Sequence, residues 1–231
     1  MLRMVTTCLS RVLVLCLALA ATGVQGQGYP NPYPRPGADK VTENDRVVVW
    51  HATWPPGVPT PMHLHRLDQV SVTVEGGTVR VTAPDGRVSS GEAAPGTVRF
   101  LRAGTIHQEE GTSVQVRRAY MVELKRPWDE KAVPAKPRVP PPTGVSSSSF
   151  APGRAAMVLD NERVQVWDVA FARGMRWNTP LECCDTVRVA VQENGDPVGG
   201  STTFLYAPAG EPFPPLDTSD GSARGVFVLL K

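Results

Sequence analysis

A duplicated block is the feature of this sequence that most restricts how the chain can fold. Residues 44–74 align with residues 161–191 at a constant offset of 117, and 11 of the 31 aligned positions are identical. Valines alone could match by chance between two Val-rich segments, but the alignment also pairs Trp50 with Trp167 and Gly57 with Gly174. Because a repeated block folds into a repeated structural unit, the sequence predicts two similar domains in tandem.

The offset between the two copies changes after residue 191. Residues 103–104 match residues 209–210, and residues 124–125 match residues 230–231, at an offset of 106. The second copy therefore lacks 11 residues between Val191 and Pro208. We expect a hairpin of the first repeat to be shortened there, so that the second repeat is the smaller one.

Within each block the apolar residues alternate with a period of two. Val48, Trp50, Ala52 and Trp54 share one face of an extended segment, and residues 70–74 and 114–124 alternate in the same way. Short alternating runs are typical of half-buried strands, and residues 83–86, Ala-Pro-Asp-Gly, are a turn signal between two such runs. The fold class is therefore predicted to be all-β, a barrel or a sandwich.

Three segments outside the blocks differ in composition. Residues 1–26 have basic residues, a short apolar run and small residues near a cleavage point, which is the layout of a secretory signal peptide. The alternative, a membrane anchor, needs a longer apolar run, about 20 residues. We predict a secreted or periplasmic protein. Residues 27–40 form a Pro-rich arm, and residues 126–150 have the Pro/Ser-rich composition of a linker.

Charge and cysteine content exclude several classes of protein. Without residues 1–26 the chain has 22 basic and 22 acidic residues, so it lacks the basic surplus of a nucleic-acid-binding protein. No membrane association is expected after signal cleavage. The remaining cysteines, Cys183 and Cys184, are adjacent, and neighbouring cysteines rarely bridge each other because the geometry is strained. We expect two thiols rather than a disulfide framework.

Histidine spacing marks a candidate metal site in the first block. His63 and His65 are two residues apart, so on a strand both rings face the same side, and Gln69 has the same parity. His107 follows a predicted turn at residues 102–104, and a barrel can bring it beside the other two. Three converging neutral imidazoles suit a divalent transition metal with open positions for a substrate.

These residues also carry a resemblance to the cupin superfamily. The first cupin motif, Gly-x5-His-x-His-x(3,4)-Glu-x6-Gly, is matched by Gly57, His63, His65, Gln69 and Gly76. The second motif, Gly-x5-Pro-x-Gly-x2-His-x3-Asn, is matched in spacing by the residues Gly96, Arg102, Gly104, His107 and Gly111. Glu, Pro and Asn of the motifs are thus replaced by Gln69, Arg102 and Gly111. The resemblance implies two cupin-type β-barrel (jelly-roll) repeats, at residues 41–125 and 151–231.

The resemblance implies a metal held by His63, His65 and His107, with Gln69 as a weak ligand beside it. Iron, manganese, zinc and copper are not distinguished. Because glutamine is neutral, the ion would keep its full charge, which favours an anionic, chelating substrate. Such a site is similar to the three-histidine centres of cupin dioxygenases. A metal-free barrel that uses its histidines for hydrogen bonding is the alternative.

Other polar residues are weaker candidates. One of Arg117, Arg118 and Tyr120 could hold a substrate carboxylate, or all three could lie on a solvated strand edge. His51 is interpreted as a surface residue, and Glu109 and Glu110 as solvated. The second copy has lost the histidines: Pro180, Glu182, Thr186 and Phe213 occupy the four positions of the site. We expect Glu182 to pair there with Arg188.

The function predicted from these residues is an exported metal-binding cupin, an oxidoreductase of the oxygenase class that acts on a small anionic molecule. A cupin that binds a metal or small ligand without turnover is the alternative, and an inert structural barrel is a third. A small-molecule ligand is the expected partner. The sequence contains no signal for the oligomeric state.

Overall fold

A computed structural model of the 231-residue chain describes residues 28–125, 147–150, 153–174, 181–191, 204–214 and 223–231. The strands of the first repeat are β1 (Ala38–Glu43), β2 (Val47–Trp54), β3 (His63–Leu64), β4 (Asp68–Glu75), β5 (Gly77–Thr82), β6 (Val88–Ala93), β7 (Val98–Leu101), β8 (Ile106–Gly111) and β9 (Arg117–Leu124). The strands of the second repeat are β10 (Arg154–Asp160), β11 (Val164–Phe171), β12 (Thr186–Val191), β13 (Phe204–Ala207) and β14 (Ala223–Leu230). The predicted signal peptide and most of the predicted linker lie outside the described residues.

The two repeats have the same sheet topology. The first forms a five-stranded sheet in the order β1-β2-β9-β4-β7, and the second forms one in the order β10-β11-β14-β12-β13. Strands β10 to β12 match β1, β2 and β4 at the offset of 117, while β13 and β14 match β7 and β9 at 106. The all-β class, the duplication and the change of offset predicted from the sequence are thus confirmed.

A second sheet completes the first barrel. It has the order β3-β8-β5-β6, and the predicted turn at residues 83–86 joins β5 to β6. Among the described residues of the second repeat, no strand corresponds to β5, β6 or β8. The residues between β12 and β13, where the sequence places the deletion, are outside the described part.

Identical residues in the two copies make identical local structure. The side-chain oxygen of Asn44 accepts hydrogen bonds from the backbone N–H groups of residues 46 and 47, and Asn161 does the same for residues 163 and 164. This Asx turn leads from β1 into β2, and from β10 into β11. The register also shifts at equivalent positions, between Lys40 and Thr42 and between Met157 and Leu159.

The outer faces of the two five-stranded sheets pack against each other. Valines 47, 49, 70, 72 and 122 of the first repeat form one buried cluster with valines 164, 166, 187, 189, 226 and 228 of the second. Two ion pairs cross this interface in a reciprocal manner: Arg46 lies 3.4 Å from Asp185, and Arg163 lies 3.5 Å from Asp68. Because both faces of β2 and β11 are buried, this shared cluster lies between two further clusters, one inside each repeat.

An aromatic residue that precedes the first strand fills the interior of each repeat. Tyr33 of the N-terminal segment is buried and stacks on Trp50, with ring centroids 5.2 Å apart. Phe150, at the end of a 3-10 turn formed by Ser147–Phe150, is fully buried and lies 5.5 Å from Trp167. Tyr33 and Phe150 are related by the same offset of 117. The repeated unit therefore extends into the segments that the sequence assigned to the arm and the linker.

Two expectations drawn from the sequence are wrong. Cys183 and Cys184 form a disulfide rather than two thiols. Glu182 is exposed, whereas Arg188 is buried, donates to the carbonyl of Pro214 and packs over the ring of Phe213, so these two charges do not pair. The side chains diverge because Glu182 precedes β12 in a turn, where the strand parity used for the prediction does not apply.

His51 is also placed differently from the prediction. It is half-buried rather than a surface residue, and its ring lies 5.0 Å from that of Tyr120 on the face of β2 that meets the second repeat. No helix in the described part of the chain is both long and apolar enough to span a membrane.

Candidate metal centre

The three histidines come together inside the first barrel on two paired strands. His63 and His107 are directly opposite each other in the β3–β8 pair, and His65 follows one residue after β3 on the same face as His63. All three are at least 93% buried. Strand pairing thus converts a separation of more than 40 residues in the sequence into direct contact between rings.

The ring nitrogens of the three side chains are close enough to share one ion. Nε2 of His65 lies 3.2 Å from Nε2 of His63 and 3.1 Å from Nε2 of His107. Two nitrogens bound at about 2.1 Å to the same ion lie roughly 3.0–3.4 Å apart, so the observed separations fit. Among the described residues this is the group of histidine, cysteine or carboxylate side chains that could hold a metal.

The surroundings of all three imidazoles favour metal coordination. Nδ1 of His63 lies 2.9 Å from the carbonyl oxygen of Pro61, which leaves Nε2 of His63 free to bind a metal when Nδ1 is the protonated nitrogen. Burial, with the nearby His107 and His63, lowers the pKa of His65 to about 3. Burial also lowers the pKa of His107, although Glu109 opposes this shift. Neutral imidazoles are the form that binds metal.

Gln69 provides an independent indication that a polar group belongs in the site. It lies on β4 and is fully buried, and neither its side-chain oxygen nor its side-chain nitrogen has a hydrogen-bond partner. Buried polar atoms without partners are rare because they carry the full cost of desolvation. An ion with its bound water would satisfy the Gln69 amide, so the residues present fit a metal.

A cavity of about 550 Å³ borders the histidine group through His107. His107, Glu109 and Arg117 contribute polar groups to its wall, and Val81, Phe100, Leu101 and Met121 contribute apolar ones. The guanidinium of Arg117 is 3% exposed, stacks over the ring of Trp54 at 4.6 Å, and donates to the hydroxyl of Thr73. Its Nε is buried and has no hydrogen-bond partner.

Comparisons with known proteins agree on the architecture. No family model matches the sequence, and a search of curated proteins found no match. Among solved structures, oxalate decarboxylase from Lactobacillus farciminis in complex with formate is 13% identical, with a TM-score of 0.54 over 86% of this chain and 83% of that chain. A mutant of salicylate 1,2-dioxygenase from Pseudoaminobacter salicylatoxidans is 13% identical, with a TM-score of 0.54 over 80% and 71%.

A cupin domain from Bordetella pertussis is 27% identical over 41% of this chain and 99% of that chain, with a TM-score of 0.37. The chain has a tandem cupin fold. The cupin-type fold, predicted from the spacing of the histidines and glycines, is confirmed. The three buried histidines support a transition-metal site in the first cupin barrel.

Of the three residues considered for substrate binding, Arg117 reaches the cupin cavity and the other two do not. Arg117, Ala119 and Met121 point to the interior of the barrel, whereas Arg118 and Tyr120 point to the opposite face of β9. Arg118 pairs with Glu75, and Tyr120 packs in the cluster between the two barrels. The period-two alternation of a strand separates them, and the sequence did not show which set faced inward.

Glu109 is a site residue that the sequence interpretation missed. It was interpreted as solvated, but it lines the cavity, and its carboxylate accepts a hydrogen bond from the indole of Trp54 at 3.0 Å. The signal was present in the sequence, because Glu109 lies two residues after His107 and therefore shares its face of β8. Glu110, on the other face, pairs with Arg80.

The second cupin barrel has no equivalent histidine group. Phe213 and Thr186 are buried at two of the corresponding positions, Glu182 is exposed, and Pro180 lies outside the described residues. Its interior is filled by a cluster that includes Phe150, Trp167, Phe171 and Phe227. Bulky aromatic side chains thus occupy the space that the first barrel keeps for its cavity.

Proposed function

We propose that this protein is an exported metalloenzyme of the oxygenase class, in which the first cupin barrel binds a small organic anion next to a three-histidine metal ion. The observation that carries the proposal is the arrangement around one cavity: His107, a member of the three-imidazole group, and Arg117 both line it. The related structures include a decarboxylase and a dioxygenase, so the choice between reactions is argued from this chain's own residues.

The charge of the ligand set favours an anionic substrate. Three neutral imidazoles and the neutral amide of Gln69 leave the charge of a divalent cation uncancelled by any ligand. Glu109 is the carboxylate on the cavity wall, and it already accepts the Trp54 indole hydrogen and faces the cation of Arg117. A bound organic anion would therefore supply the negative charge that the coordination sphere lacks.

Each part of the cavity has a distinct task in this proposal. Arg117 supplies the positive charge that binds a substrate carboxylate, and stacking on Trp54 holds the guanidinium plane in place. The apolar wall, which includes Val81, Phe100 and Met121, excludes water around the body of the substrate. The metal would supply open coordination positions for the substrate anion and for dioxygen.

Metal analysis of purified variants tests the first half of the proposal. Replacing His63 or His107 by alanine leaves two imidazoles, so we expect loss of metal retention. His51→Ala is the matched control, since His51 lies on the outer face of β2. Gln69→Ala should retain most of the metal, and Gln69→Glu should bind it more tightly. Unchanged metal content in the two site variants, or none in the wild type, would refute the site.

Ligand binding and oxygen uptake test the second half. The protein is reconstituted separately with iron(II), manganese(II), copper(II) and zinc(II), and each form is titrated with small organic acids. Arg117→Met should weaken binding of the acids at least tenfold, because the anion loses a charge-assisted hydrogen bond. Arg118→Met, its neighbour on the outer face, should leave binding unchanged. Gln69→Glu should weaken the binding of the anion, because the added carboxylate cancels part of the charge of the metal.

The same experiments separate the oxygenase from the alternative. Metal and anion binding without oxygen uptake in any of the four metal forms would support a cupin that binds its ligand without turnover. Export is part of the proposal and rests on the composition of residues 1–26. Cell fractionation of the full-length protein, with N-terminal sequencing of the product, tests it; a cytoplasmic protein that keeps residue 1 would refute it.

A further inference from the structure

We propose that the N-terminal arm, residues 28–36, is a positioning element of the metal centre that holds the free edge of β3. Strand β3 carries the metal ligand His63 and leads directly into His65, yet it consists of only two residues, His63–Leu64. A strand this short has little intrinsic stability, so its position depends on what it contacts on each edge.

The hydrogen bonds of β3 alternate between its two edges. The His65 N–H donates to the carbonyl of Thr105 at 2.9 Å, and the Gly104 N–H donates to the carbonyl of His65 at 2.7 Å, so the odd-numbered residues bond toward β8. Leu64, between the two histidines, has its N–H on the other edge. That N–H donates to the carbonyl of Pro30 in the arm at 2.9 Å. The arm therefore supplies the partner that a neighbouring strand would otherwise provide.

Two side-chain contacts also hold the arm against the barrel near this hydrogen bond. Nε of Arg66, directly after the His-x-His segment, donates to the side-chain oxygen of Asn31 at 2.7 Å. Tyr33 inserts into the barrel and stacks on Trp50. The arm thus packs into the barrel core through Tyr33 and bonds to the segment that carries the histidines through Asn31.

A chain without these anchors would hold β3 by one edge only. The rings of His63 and His65 must point together for their nitrogens to stay about 3.2 Å apart, and fraying of a two-residue strand separates them. Metal binding would then have to order β3, and the free energy spent on this ordering would lower the affinity for the metal ion. The proposal rests on the three-histidine metal site and is independent of the reaction catalysed there.

The second repeat provides a matched control for the experiment. Phe150 is the counterpart of Tyr33: each is a buried aromatic ring that packs against the equivalent tryptophan, but the second barrel has no histidine group. Tyr33→Ala and Phe150→Ala should both lower the thermal stability by leaving a cavity. If the arm positions the metal ligands, only Tyr33→Ala should also lower metal affinity.

The test measures the affinities of cobalt(II) and zinc(II) for wild type, Tyr33→Ala, Phe150→Ala and Asn31→Ala, by chelator competition at a temperature where all four proteins are folded. Tyr33→Ala should lower the affinity for both ions by about five- to tenfold, which corresponds to the loss of one backbone hydrogen bond. Asn31→Ala should lower it by less. Phe150→Ala should match the wild type. Residue-level hydrogen exchange in the absence of metal should show faster exchange of the Leu64 amide in Tyr33→Ala and Asn31→Ala only.

Two outcomes would overturn the proposal. Equal losses of affinity in Tyr33→Ala and Phe150→Ala would show general destabilisation, and unchanged affinity with a protected Leu64 amide in Tyr33→Ala would show that the arm has no role. A wild-type protein that binds neither ion overturns this proposal together with the metal site, whereas metal binding without oxygenase activity removes only the proposed function.

Discussion

Replacing Gly111 by alanine tests how tightly the strand that carries His107 is packed. Gly111 is the last residue of β8 and stands where the cupin motif has Asn. Its carbonyl accepts a hydrogen bond from the N–H of Gly57 at 2.8 Å, which fastens the loop before β3 to β8. The close approach of these backbones leaves no space for a side chain at this position.

The magnitude of the effect follows from the space around Gly111. A Cβ atom there would lie 2.7 Å from the carbonyl oxygen of Trp54 and 3.0 Å from that of Pro55. Both are backbone atoms, so no side-chain rotation can relieve the contact and a strand must shift. Overpacking of this kind costs about 1–3 kcal/mol in the free energy of unfolding. For a chain of this size we expect Tm to fall by about 4–8 °C for the middle of that range.

Differential scanning calorimetry of the metal-free protein measures the effect. Gly91→Ala is the matched control, because Gly91 lies in β6 of the same sheet and a Cβ there meets only the mobile end of Arg99, at 3.1 Å. That control should leave Tm unchanged or raise it slightly, since alanine lowers the entropy of the unfolded chain. If Gly111→Ala is as stable as Gly91→Ala, the packing argument is refuted.

Three further predictions concern buried ionisable groups. Burial raises the pKa of Glu123 in the folded state, although its hydrogen bond from Trp50 opposes the shift. Glu123→Gln should therefore stabilise the protein at pH values above this folded-state pKa, and the stabilisation should disappear below pH 4. Chemical denaturation at a series of pH values measures both effects. Burial lowers the pKa of Arg188 to about 10 without a counter-ion, so Arg188→Met should raise Tm at neutral pH, and a fall would contradict this reasoning. Because the folded-state pKa of His65 is about 3, the unfolded chain binds more protons at this residue than the folded chain does below pH 6.5. The metal-free protein should therefore lose stability as the pH falls below 6.5. An equal loss in His65→Gln would show that another group is responsible.

The sequence alone determined the local structure and pointed to the three histidines of the candidate metal site. Alternation placed Val48, Trp50, Ala52 and Trp54 on one face, and all four lie inside the first barrel. The change of offset placed β13 and β14 correctly against β7 and β9, because strands occupy fixed positions within a repeat. The His-x-His parity put two rings on one face, and the match to the cupin motifs identified the third histidine.

Only the tertiary structure decided which part of the chain packs on each face of a strand. Period two separates Arg117 from Arg118, but it does not say which one faces the cavity when both faces of a strand are buried, as they are in β2 and β9. The crossed pairs of Arg46 with Asp185 and Arg163 with Asp68 join residues more than 90 positions apart, and no local pattern records them. The strand parity that predicted a Glu182–Arg188 pair failed because it holds only within a strand.

The same limit explains why the arm was interpreted only as an extended segment. Its proline content predicts an extended backbone, which is a local property, whereas the structure has bends at Pro32 and Pro34 and a turn at residues 36–37. That Tyr33 enters the barrel and that Pro30 meets Leu64 depends on the packing of distant strands around them. Local periodicity reports the direction of a side chain relative to its own strand, whereas burial depends on which other parts of the chain arrive there, and only the folded structure contains that information.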